Sequence, residues 1–255
     1  MITNHFKSTW RFLMKDRIFS LLNILGLALG ICASLFILLW VQDEQRVDHF
    51  HSEGDRLFQV YSRNFYEGKV EASFATQGLL AEELKINVPE IALASGFEYI
   101  AAPGTKSNLE AAGKTGKMLG FYVGDDFLSM FTYPLLLGDK ASALSSPDGV
   151  AISRMMATHF FGSPKNAMGQ TIRLEAMEDL HVTAVFEDLP AYSSQQFDFL
   201  RGWAPFMAQN AWATNWRNAS PATFILLKPD TDPESAEQKI KDFLYQYIDP
   251  QPGVR

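Results

Sequence analysis

Residues 18–41 read IFSLLNILGLALGICASLFILLWV. No charged residue interrupts the run, and its only strongly polar side chains are Ser20, Asn23 and Ser34. A helix rises about 1.5 Å per residue, so the run is long enough to cross a hydrocarbon core of about 30 Å. It reads as one membrane-spanning helix. A buried helix of a soluble domain is shorter and keeps a polar face. A cleaved signal peptide carries an apolar run of about 7–15 residues and then a small-x-small site. This run is longer, and no such site follows it. The single cysteine, Cys32, comes after the large Ile31, which does not suit lipidation. Cys32 reads as an ordinary buried thiol in the helix.

The flanks orient the helix. Lys7, Arg11, Lys15 and Arg17 precede it, opposed only by Asp16, while QDEQRVDHFHSEGD follows it and leans acidic. Lysine and arginine stay on the cytoplasmic side, so the N-terminus is expected inside and everything after Val41 outside. The whole chain of 255 residues carries a formal charge of −7, and without residues 1–17 that charge is −10. An acidic outer part argues against nucleic-acid binding and gives no attraction to anionic lipid. One cysteine cannot form an intrachain disulfide, so the outer part must be held by its own core.

Ahead of the span, Phe6, Trp10 and Leu13 fall at helical spacing, with Lys7, Arg11 and Lys15 on a neighbouring face. Such a helix over residues 1–17 can lie in the headgroup layer as an interfacial anchor. A plain basic flank accounts for the same charges. Within the span, Asn23, Gly26, Gly30 and Ala33 run down one side, and Gly26–Gly30 is a GxxxG match. Small residues at that spacing let a second helix approach closely, and Asn23 could hydrogen-bond across the contact. Glycine is common in membrane helices in any case. If the stripe packs, its partner comes from elsewhere, since no second run of comparable length follows Val41.

The outer part alternates strand and helix signals. Residues 57–61 read as a strand and 70–74 as a second, with a turn at Gly68. Thr76 can cap a helix carrying Leu79, Leu80 and Leu84 that stops before Pro89. Residues 91–100 read as a strand. The short helix at 127–131 has Asp125 and Asp126 ahead of it as caps, and Ser153 caps a helix that ends at Phe161-Gly162. Residues 168–190 read as a hairpin, with Ile172 and Leu174 alternating on one arm and Val182, Ala184 and Phe186 on the other. Trp203, Trp212 and Trp216 read as core. Strand 222–228 precedes an N-capped helix bearing Ile240, Phe243, Leu244 and Tyr247. Repeated strand–helix–strand order points to an α+β fold.

Chemistry-bearing patterns are weak. Gly113-Lys114-Thr115 copies the end of a phosphate-binding loop, but residue 108 is asparagine where that pattern needs glycine, so a hairpin turn is expected. His49 and His51 alternate without further ligands, so no metal is expected; Phe50 should pack inward and both histidines stay solvated. The Asp125–Asp126 pair has no supporting catalytic cluster. No G-x-S-x-G, H-E-x-x-H or Cys/His pair supports an anchored hydrolase. No catalytic residue, cofactor or metal ligand is assigned.

The residues RFLMKDRIFSLLNILGLALGICASLFILLWVQDEQRVDHFHSEGDRLFQV resemble the first span and exit segment of MacB-like, FtsX-related ABC transporter permeases. The stretches YVGDDFLSMFTYPLLLGD, GVAISRMMATHFFGSPKNAMGQTIRL and HVTAVFEDLPAYSSQQFDF resemble that family's periplasmic core domain. The resemblance implies a periplasmic domain over 42–255 built of split strand–helix (Porter-like) units at 56–105 and 220–255, with a mixed α/β (Sabre-like) insertion at 106–219. It implies a fragment, because the family continues into three further spans. It also implies a bacterial inner-membrane location, a separate ABC ATPase subunit, a dimer of permease subunits or halves, and in some systems a membrane-fusion protein. The expected role is to couple that ATPase to the periplasmic domain for export or mechanotransmission. The alternative is a membrane-anchored extracytoplasmic sensor with a ligand pocket.

Overall fold

The computed structural model describes residues 14, 15, 17–66 and 69–248, with the backbone alone at 64–66. The chain divides into two compact units, Met1–His49 and Phe50–Arg255. In the first, helix α1 (Arg17–Glu44) runs for 28 residues, and its most apolar window has a mean hydropathy of 2.6. None of its residues is buried by other protein atoms, and Cys32 too lies on the exposed helix surface. At about 1.5 Å per residue the helix is about 42 Å long, enough to cross a bilayer with a turn or two to spare. It gives way to tight turns, with Arg46 N–H donating to Asp43 O at 3.0 Å and Asp48 at φ 58°.

The second unit opens with β1 (Leu57–Val60) and an antiparallel ribbon, β2 (Ser62–Tyr66) with β3 (Lys69–Ser73). Helix α2 (Leu80–Asn87) leads to β4 (Ile91–Tyr99), the hairpin β5 (Ser107–Ala111) and β6 (Lys114–Met118), and β7 (Gly120–Val123). Then come α3 (Phe127–Met130), β8 (Leu135–Leu137), β9 (Gly149–Ser153), α4 (Arg154–Phe161) and α5 (Pro164–Ala167). The hairpin β10 (Thr171–Leu174) and β11 (Glu178–Phe186) precedes β12 (Phe199–Gly202), α6 (Trp203–Gln209), β13 (Ala222–Leu227) and α7 (Pro233–Ile240).

One mixed sheet joins these strands in the order β1-β13-β4-β7-β12-β9-β11-β10-β5-β6, with β8 alongside β11. The pairs β7–β12 and β9–β11 are parallel and the other neighbours antiparallel. The central strands are apolar at nearly every position because both faces are covered. On β13, Ile225 and Leu227 pack under α2 and α7 with Leu84, Ala236 and Phe243. Phe224 and Leu226 point the other way, into a cluster of Phe97, Phe121, Phe127, Phe131, Tyr133 and Phe197. A third cluster seats α4 and α5, through Met156, Phe160 and Ala167, on Val150, Ile152, Ile172, Leu180 and Val182.

Local signals decide several boundaries. Ser153 Oγ accepts from Met156 N–H at 3.1 Å, and Gly162, at φ 82°, closes α4. Asp232 caps α7 through Glu234 N–H and Ser235 N–H. Ala112 and Gly113 both have positive φ and form the corner between β5 and β6, so Gly113 lies in the hairpin turn expected there, with Lys114 and Thr115 already paired in β6.

Four expectations are corrected. Thr76 does not cap α2; its hydroxyl is buried and bonds Pro221 O at 2.8 Å and Thr223 Oγ1 at 2.7 Å. Asp126 does not cap α3; its carboxylate accepts from Lys85 Nζ at 2.6 Å and Ala94 N–H at 3.2 Å. Val182, Ala184 and Phe186 do not share a face. A bulge between Val182 and Ala184 shifts the phase by one residue, so Val182 joins the helix-covered cluster while Ala184 and Phe186 join the aromatic one. Among the tryptophans, Trp203 bonds Gly78 O and Trp216 stacks on Tyr247 at 3.9 Å, but Trp212 is 40% exposed.

The Phe199 ring lies over its register partner Gly120, where a methyl group would run into the ring atoms. Gly120→Ala is expected to lower unfolding stability by about 1–3 kcal/mol, measured by urea denaturation, because a fully buried ring must shift to admit the methyl group.

Candidate functional site

Asn23, Gly26, Gly30 and Ala33 fall within an arc of about 80° on α1, given 3.6 residues per turn. All four are exposed, and a Cβ placed on Gly26 or Gly30 meets nothing within 4 Å. The backbone is therefore bare along this strip, which is the shape that lets helices approach closely in lipid. Ser34 turns back along the same helix and donates to Gly30 O at 2.9 Å. Trp40, at 65% exposure, stands near the far end of the run, where an amphipathic ring suits the lipid–water interface. The expected anchors Phe6, Trp10 and Leu13 lie outside the described residues.

The second unit begins with a lead-in segment, residues 50–56, that is tied down at once. Thr132 N–H donates to His51 Nδ1 at 3.0 Å, and Ser52 N–H donates to Thr132 Oγ1 at 3.0 Å. The Ser52 and Thr132 hydroxyls are 3.1 Å apart. Arg56 reaches Leu227 O on β13 and the Glu53 carboxylate. His51 is thus a correction to the expectation of two solvated histidines: it is 7% exposed, while His49 is exposed. Its ring completes an aromatic group with Phe50, Phe131 and Tyr133, centroids 4.0, 5.2 and 5.1 Å away. Alternation along the chain could not separate the two histidines, because the partner Thr132 is 81 residues away.

A buried charge went unread in the sequence. Arg201, on β12, has a fully buried side chain. Its guanidinium grips the Glu178 carboxylate with two bonds, 2.8 and 2.6 Å, and also donates to Pro147 O at 3.2 Å and Tyr122 Oη at 3.3 Å. Tyr122 in turn donates to Gln209 Oε1 on α6 at 3.1 Å. Burial pushes the Tyr122 phenol above its ordinary value, against the pull of the neighbouring Arg201 cation. The chain Gln209–Tyr122–Arg201–Glu178 links α6, β7, β12 and β11. The available signal was a lone charge inside the apolar run Phe199-Leu200-Arg201-Gly202, which a buried strand tolerates only with a counter-ion.

The exposed polar face of β10 and β11 carries paired charges. Arg173 holds Asp179 at 2.7 and 2.9 Å, and Asp148 lies 3.7 Å from His181. Thr171 Oγ1 is 3.3 Å from His181 Nδ1, so threonine, histidine and aspartate stand in line. All three are exposed. Asp125 is exposed while Asp126 is committed to Lys85 and Ala94, so the two do not act as a pair. An open groove of about 390 Å³ lies between β5, β6 and the turn at Glu175 and Ala176.

The chain matches the family model of the MacB-like periplasmic core domain over residues 20–243. No curated protein matches it. Among solved structures, a domain of a putative permease protein from Porphyromonas gingivalis aligns with a TM-score of 0.69 at 22% identity, covering 80% of this chain and 88% of that one. The periplasmic region of MacB from Actinobacillus actinomycetemcomitans aligns at 0.52 and 12% identity, covering 67% and 73%. The extracellular domain of the noncanonic ABC-type transporter YknZ from Gram-positive bacteria aligns at 0.51 and 12% identity, covering 77% and 98%. At these identities the likeness is one of fold.

Glu178→Ala leaves Arg201 buried without its counter-charge. The expected loss in urea unfolding lies toward the lower end of ~3–5 kcal/mol, since Glu178 is itself 39% exposed. The apolar pair Arg201→Met with Glu178→Leu is expected to recover most of it. A second expectation concerns acid. Hydrogen bonds from Ser146, Asn108 and Arg173 hold the carboxyls of Asp148, Glu175 and Asp179 below their ordinary values. The unfolded chain binds those protons first, so this stabilisation is complete above the ordinary carboxyl range near pH ~4 and is lost as pH falls below it. Urea midpoints measured from about pH 6 down to about pH 3 should fall, and less steeply in Asp179→Asn.

Proposed function

Since the chain belongs to the MacB-like periplasmic core domain family, we propose that it serves as the permease side of an ABC transporter. In this reading it couples a separate cytoplasmic ATPase to an outer domain for export or mechanotransmission. The observation that carries the reading is the lead-in segment: a few residues after α1 ends, the chain is bonded at His51, Ser52 and Arg56 to the 131–133 turn and to β13. A displacement of that segment is therefore felt by the sheet rather than lost in a slack linker.

The N-terminus lies in the cytoplasm and residues 42–255 in the periplasm of an inner-membrane protein, as the basic and acidic flanks suggest. Residues 56–105 and 220–255 act as the Porter-like part and 106–219 as the Sabre-like insertion. The strip of Asn23, Gly26, Gly30 and Ala33 packs against a span of a partner subunit or half, while Phe6, Trp10 and Leu13 anchor the inner interface. A dimer of permease subunits or halves and, in some systems, a membrane-fusion protein complete the assembly. ATP hydrolysis belongs to the partner ATPase. The sensor alternative calls for a ligand pocket in the outer domain and a dimer through the GxxxG face; the groove beside β5 and β6 is open to solvent.

Affinity purification of the native protein from membranes should recover an ATPase bearing a phosphate-binding loop, and Gly30→Ile should lower that recovery several-fold while leaving the melting temperature of the outer unit unchanged. Repeated recovery without any ATPase would sink the coupling. In a Cys32→Ser background, Lys114→Cys and Lys239→Cys should react with an impermeant thiol reagent added outside intact cells; labelling only after lysis would reverse the orientation.

A further inference from the structure

We propose that His51 is a proton-operated latch: it fastens the lead-in segment to the 131–133 turn when neutral and lets it go when protonated. A backbone amide can only donate, so the bond from Thr132 N–H requires a lone pair on His51 Nδ1, and the ring proton sits on Nε2. A second ring proton would have to enter at Nδ1, where it would face another N–H. The 7% exposure of the residue leaves little water to take up that charge.

The latch is localised on one residue. Thr132 holds His51 through its amide and Ser52 through its hydroxyl, so swinging the imidazole out removes the neighbour that keeps Ser52 in register. Across the ring the titratable group is Tyr133; Phe131 and Phe50 are neutral. Along the chain, Asp48 lies three residues before His51, and Glu53 two residues after it is held by Arg56. Tyr192 packs on Phe50, and in the segment leading to it Glu187 pairs with Arg154 while Asp188 accepts from Met155 N–H. A released ring binds a proton that the latched ring excludes, so the latch weakens as pH falls through the range where free histidine charges. The inference stands on contacts inside the outer unit and does not depend on the partner ATPase.

Hydrogen exchange on the full chain in lipid nanodiscs, corrected for intrinsic rates, tests it. Between about pH 7.5 and about pH 5.5, protection at the Thr132 amide should fall roughly tenfold or more, while the Met156 amide, bonded to Ser153, holds. His51→Asn places Oδ1 where Nδ1 stands, accepts the same bond and does not titrate; it should keep its protection at both pH values. Unchanged Thr132 protection in the native chain overturns the latch, and so does an equal loss in His51→Asn. Should that variant fail to fold, the ring nitrogen shifts of native His51 decide: protonation of both nitrogens together with loss of Thr132 protection supports the latch, and protonation with protection intact overturns it.

Discussion

The pairing of β13 with β4 closes the second unit. Leu227 stands opposite Ile91 and Ala222 opposite Phe97, so residues more than a hundred positions apart lie side by side. Everything from the β5–β6 hairpin to α6 is an excursion from that closure. Bringing such distant segments together costs loop entropy, although that cost grows slowly with length. The sequence answers with a strand buried on both faces: Ile225 and Leu227 under the helices, Phe224 and Leu226 in the aromatic cluster. With one cysteine in the chain, no intrachain crosslink assists. Apolar burial on two sides of one strand is the main attraction available.

Polar groups then decide which closed arrangement is adopted. An apolar core tolerates many packings, but a guanidinium with no water around it tolerates few. Arg201 finds Glu178, Pro147 and Tyr122 only when β7, β12 and the start of β11 are all in place. The pair adds little net stability compared with an apolar substitute; its effect is to make misregistered alternatives costly. Thr76, joined to Pro221 and Thr223, performs the same task beside β13. Thr132 does so for the lead-in segment, within the second unit.

Much of this was legible from residue order alone. The span followed from an uninterrupted apolar run, because lipid forces backbone groups to bond within their own helix. The cap at Ser153, the stop at Gly162 and the corner at Gly113 followed from short-range chemistry, since each partner lies within a few residues. The strip of Asn23, Gly26, Gly30 and Ala33 was visible for the same reason: helical spacing alone puts those residues on one face.

Residue order by itself determined the apolar span, the strand–helix rhythm and the family that the chain belongs to. The span and the rhythm depend on periodicity and local propensity, which neighbours in sequence define; the family follows from the resemblance of longer stretches to its members. Only the tertiary structure decided that His51 is buried and His49 is not, that Asp126 serves Lys85 and Ala94, that Arg201 has a counter-ion, and that one bulge sends Val182 and Ala184 to opposite faces. The physical reason is common to all four. Each side chain is fixed by a partner tens of residues away or by a one-residue shift in pairing, and neither leaves a mark on the pattern of nearby residues.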